Sequence, residues 1–113
     1  MRSLPCRPPR KEHDAEAFIC HNKNPSAFAS NNFGETKRAC SFVRKLSKAG
    51  ATNITVKNVM PEPEAGGPYA DTLVVTVPDR KASRLLPLLL ESHVDAVRAK
   101  RVPGGMRFSL WWD

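Results

Sequence analysis

The chain has 113 residues and carries 18 Lys and Arg against 11 Asp and Glu, a net charge of +7, which describes one small domain with a basic surface. No apolar run approaches the length needed to cross a bilayer, and Pro5, Pro8, Pro9 and Arg10 interrupt any secretory h-region after Met1. An ordered part of roughly 75–85 residues lies near the lower limit for a self-sufficient fold, so a homodimer is an expected source of added burial.

Residues 1–15 are proline-rich, charged and poor in large apolar side chains, and are expected to form a flexible basic tail ahead of a single domain over 16–113. Ala17, Phe18, Ile19 and Cys20 make a short apolar run, read as a strand or a loop anchor. Asn22–Asn32 is rich in turn residues and reads as irregular.

The first strong helix follows. Ala39, Phe42, Val43, Leu46 and Ala49 repeat on one face of a 3.6-residue period, with Lys37, Ser41, Arg44 and Lys48 opposite. Asn32 or Gly34 can begin it, Lys45 and Lys48 complement the negative end of its dipole, and Gly50 suits the position just beyond it. Thr52–Val59 is the next strand, with Ile54 and Val56 on one face. The prolines and glycines of Met60–Ala70 exclude a helix or strand interior and read as a long, exposed hairpin loop.

Asp71–Pro78 (D-T-L-V-V-T-V-P) is the clearest core strand. Leu73, Val75 and Val77 alternate with Thr72, Val74 and Thr76, as on a central strand with one covered face. Helical spacing resumes at Ala82, Leu85, Leu86 and Leu89. Pro87 would cost about 3 kcal/mol in a helix interior but little in a first turn, so the helix either begins near Ser83 after a looser turn or kinks at Pro87. Val94, Val97 and Val102 precede Pro103-Gly104-Gly105. Met106, Phe108, Leu110 and Trp112 then alternate with Arg107, Ser109 and Trp111, as in a second hairpin that closes the sheet; a helix continued through Lys100 is the alternative for residues 94–102.

These elements predict an α+β fold, with two helices packed on one face of a mainly antiparallel sheet in a ferredoxin-like sandwich. The D-T-L-V-V-T-V-P-D stretch, the Leu-rich helix and the closing F-S-L-W-W-D together resemble small bacterial proteins of mobile gene cassettes (integron-associated), over roughly residues 70–113. That resemblance implies no catalytic residue.

Residue chemistry points away from an enzyme and from any cofactor. Cys6, Cys20 and Cys40 form no recognisable framework, so a cytoplasmic protein with free thiols is the expectation. There is no C-x-x-C or H-x-x-x-H spacing for a metal, and nothing in the sequence activates Cys40 toward His93 as a nucleophile pair. Gly66-Gly67 and Gly104-Gly105 are turn pairs without the Lys-Ser/Thr helix start of a phosphate loop.

The expected function is therefore that of a non-catalytic interaction or accessory module, homodimeric through its sheet or its C-terminal strand. The alternative is a nucleic-acid-binding protein with weak, salt-sensitive affinity, using a basic helical side (Arg44, Lys48, Arg98, Arg101) and a sheet face carrying Lys57, Arg107 and Trp111. A basic helical side is the stronger expectation for the charge, because the basic segments 34–49 and 79–102 are those read as helical.

Overall fold

The computed structural model describes residues 13–113. It is an α+β fold built on a five-stranded sheet in the order β1-β2-β3-β5-β4, every neighbouring pair antiparallel. The strands are β1 (His13–Asp14), β2 (Asn53–Lys57), β3 (Thr72–Pro78), β4 (Ala96–Val102) and β5 (Gly105–Trp111). The α-helices are α1 (Ala15–Cys20), α2 (Ser30–Phe33), α3 (Thr36–Lys48) and α4 (Leu86–Glu91). A ferredoxin-like chain runs β-α-β-β-α-β. Here three helices separate the first two strands and a hairpin ends the chain, so the coarser class is what the structure carries.

β3 is the middle strand. Its alternate residues Leu73, Val75 and Val77 lie fully buried in one core with Ile54 and Val56 of β2, Leu110 of β5 and the stripe Ala39, Phe42, Val43 and Leu46 of α3. The helix follows the predicted period, and Lys37, Ser41, Arg44 and Lys48 lie on its exposed side. Gly50 adopts φ +118 just beyond it, a conformation that L side chains rarely take. Leu46→Ala or Val75→Ala should each cost about 2–4 kcal/mol as buried truncations. Lys48→Ala should stay within about 0.5 kcal/mol. Equal losses at all three positions in urea denaturation would contradict this assignment of faces.

Residues 17–20 are helical, contrary to the expected strand or loop anchor. Asp14 Oδ2 accepts a hydrogen bond from the Ala17 amide at 3.0 Å, a side-chain cap that starts α1 and lets Ala15 and Ile19 bury completely. The expected tail over residues 1–12 lies outside the described residues, but His13 and Asp14 pair with Val56 and Thr55 of β2. The Pro87 conflict resolves as a 3-10 turn over Asp79–Arg84 followed by α4, with the proline inside the first turn. Residues 96–102 are strand, joined to β5 through Pro103 and Gly104, whose φ is +75.

The largest departure concerns the thiols. Cys20 and Cys40 form a disulfide across α1 and α3, with Cα atoms 5.1 Å apart. Free thiols were expected because the spacing fits no framework; the bond instead follows from packing that brings two helices side by side. Cys40 is therefore not the free thiol that pairing with His93 as a nucleophile would require.

The loop 60–70 is less independent than its composition suggests. Asn22 Nδ2 donates to the Pro68 carbonyl at 3.0 Å and Asn24 Nδ2 to the Gly67 carbonyl at 3.1 Å. Asn24 is buried and fully engaged: its carbonyl accepts from Thr36 Oγ1 at 2.7 Å, which in turn accepts from the Ala27 amide. Buried amides need such partners, which is why a stretch rich in asparagine is ordered here.

Candidate interaction surfaces around β4

Strand β4 ends the sheet, and its residues 96–101 are exposed on both faces. Two unlike surfaces meet along it. Toward the helices, Leu85, Leu89, Val94, Val97 and Phe108 line an apolar groove of about 430 Å³ with Leu86 and Leu90. Leu86 is 53% exposed, Leu90 75% and Val97 45%. His93 is the only titratable side chain in that lining. Apolar side chains grouped this way on a small domain mark a contact surface rather than scattered exposure.

The other side of the sheet is basic. Strand register sets its side chains in three rows running from β2 to β4. The first row holds Lys57, Thr72, Trp111 and Ala96; the second Thr55, Val74, Ser109 and Arg98; the third Asn53, Thr76, Arg107 and Lys100. Successive rows are about 7 Å apart, two residues of strand rise. Lys57, Arg98, Lys100 and Arg107 rim a shallow groove of about 350 Å³ over Val74 and Ser109. No acid occupies any of these row positions. Asp14, which continues the second row onto β1, is engaged as the cap of α1.

Among the described residues none of those four cations is in an ion pair, whereas three of the five cations of α3 are. Lys37 meets Glu35 at 3.5 Å, Arg44 meets Glu16 at 3.4 Å and Lys45 meets Glu91 at 3.6 Å. These exposed pairs add little stability, but they cancel field. The open sheet face therefore carries a group of cations that the expected helical side does not account for, while Arg38 and Lys48 keep α3 basic as well. Of the residues singled out from the sequence, Lys57, Arg98, Arg107 and Trp111 come together on that face. Arg44 and Lys48 stand apart on α3. Arg101 lies on the opposite side of β4, where its Nη1 donates to Asp79 Oδ1 at 2.9 Å.

Sequence reasoning missed Lys100 and the exposed leucines. The signals were present: A-V-R-A-K-R-V alternates cations at Arg98 and Lys100, and Leu85, Leu86, Leu88, Leu89 and Leu90 are more leucine than one helix face can bury. Edge-to-edge pairing of two copies through the C-terminal strand is closed off, because β5 is paired on both edges, to β3 and to β4, and only its outer face stays open. Among the described residues no three His, Cys, Asp or Glu side chains converge as metal ligands, and no helix is long and apolar enough to cross a membrane. Comparison with protein-family models, curated proteins and solved structures finds no match.

Proposed function

We propose that the protein is a non-catalytic interaction module whose first partner is a second copy of itself, docked through the apolar groove beside α4. The observation that carries this is the exposure of Leu86, Leu90 and Val97 around an apolar recess. The surface is self-complementary in outline: Leu90 projects and the groove floor recedes, so a two-fold pair places each Leu90 in the other's groove.

Edge-to-edge pairing of two β4 strands is the competing geometry, and charge opposes it. An antiparallel pair centred on Ala99 would set Arg98 of each copy directly opposite Lys100 of the other, on the same face. Cations on an exposed edge are a usual defence against such pairing. The helix side offers the second copy an uncharged surface instead.

The test is sedimentation of the wild type against Leu90→Lys. The wild type should sediment as a dimer whose melting temperature rises with protein concentration, and the variant as a folded monomer whose melting temperature does not. A monomeric wild type, or a variant that stays dimeric, would rule the groove out as the contact.

A further inference from the structure

We propose that the open face of the sheet binds single-stranded nucleic acid, with Lys57, Arg98, Lys100 and Arg107 taking phosphates and Trp111 stacking on a base. This surface lies across the sheet from the groove and does not rest on dimerisation.

The first argument is charge. Lys100 and Arg107 are direct partners across β4 and β5, an arrangement that costs stability because like charges face each other. Arg98 stands two residues from Lys100 on β4, and Lys57 closes the far side of the same groove. Four cations concentrated on one face, unmatched by acids in its rows, call for a polyanion, and a bound phosphate chain would relieve the Lys100–Arg107 repulsion.

The second argument is Trp111. It is 40% exposed, while the adjacent Trp112 is fully buried. Its neighbours in the row are Thr72 and Ala96, both too small to cover an indole. A flat aromatic surface beside cations on an open sheet is the arrangement that stacks an unpaired base while its phosphates are held. A duplex keeps its bases stacked on one another and cannot use the indole this way. A lipid surface would call for several projecting apolar side chains, yet the face offers Trp111 alone, Val74 being buried. Residues 1–12 contain Arg2, Arg7, Arg10 and Lys11 against Glu12, so their charge does not complement the face either.

The experiment is fluorescence anisotropy of a labelled oligothymidylate across a salt series, using the full chain. Four phosphate contacts predict that log Kd rises with log salt at a slope of about 3, at about 0.7 per contact for single strands. Lys100→Gln with Arg107→Gln should lower that slope by about 1.4. Trp111→Ala should weaken binding about 5- to 150-fold, as loss of one stacked base does, with Trp111→Phe recovering most of it. Leu90→Lys should bind the oligonucleotide through the same face as a monomer, with the same response to Trp111→Ala.

Circular dichroism checks that each variant keeps its fold, as expected for exposed positions. Several results would overturn the proposal: no binding, a slope indifferent to the double neutralisation, or an affinity unmoved by Trp111→Ala. Equal binding of a duplex, of polyglutamate or of anionic phosphatidylserine vesicles would also overturn it, by showing a face that attracts any negative charge.

Discussion

Trp112→Ala should destabilise the protein by about 3–5 kcal/mol, the range for emptying a buried aromatic site. Trp112 is fully buried one residue beyond the end of β5, and three rings enclose it. Phe33, Phe28 and Phe42 lie 5.2, 5.6 and 5.8 Å from it between ring centroids, each roughly edge-on. Edge-on pairs of this kind add to what burial alone contributes. They also join separate parts of the chain, since Phe28 and Phe33 come from the loop and α2 while Phe42 belongs to α3.

The indole has a polar anchor as well. Its Nε1 donates to the Ser92 carbonyl at 3.0 Å, and Asn32 Nδ2 donates to the same oxygen at 2.9 Å. Trp112→Phe keeps part of the ring volume and removes the donor, so it should cost less than Trp112→Ala and separate packing from hydrogen bonding. Trp111→Ala, on the open face where the indole is 40% exposed, should cost clearly less than Trp112→Ala. Urea denaturation of the three variants checks this, and a loss at Trp111 as large as that at Trp112 would contradict the alternation of the end strand.

The second large effect is expected from the disulfide. Replacing Cys20 and Cys40 together by Ala should lower stability by about 3 kcal/mol, the loop-closure value for a span of this size. The two cysteines are 20 residues apart in sequence, and the segment between them contains the turn-rich Asn22–Phe28 stretch and α2. Without the bond that segment gains conformational freedom in the unfolded chain, while α1 and α3 keep their apolar contacts in the folded one. The folded far-ultraviolet spectrum should therefore persist at moderate temperature and the denaturation midpoint should fall. Addition of dithiothreitol to the wild type should reproduce the shift and leave the double variant unmoved. A wild type indifferent to reductant would show that the bond contributes nothing. Structural disulfides persist in oxidising compartments, so this one removes the free-thiol ground for expecting a cytoplasmic location.

The stripe Ala39–Leu46, the alternation Leu73-Val75-Val77 and the end strand Met106–Trp112 could all be read from the residues, because each is a local period imposed by helix or strand geometry on one buried face. Pro87 could be placed to within a turn because its missing amide tolerates few positions. The open face was legible in part: period two alone puts Lys57 with Thr55, and Arg107 with Trp111.

What tertiary structure decided is which strands lie side by side. Placing β5 between β3 and β4 sets Arg98 and Lys100 in rows with Ser109 and Arg107, and so gathers a basic surface on the sheet that the helices do not share. The same placement leaves β4 at an edge, with Val97 beside Leu86 and Leu90. The Cys20–Cys40 bond is likewise a matter of two helices meeting, which no spacing in the chain encodes. Local periods say which face of an element is apolar; only the packing of those faces says which cations become neighbours and which leucines are left in solvent.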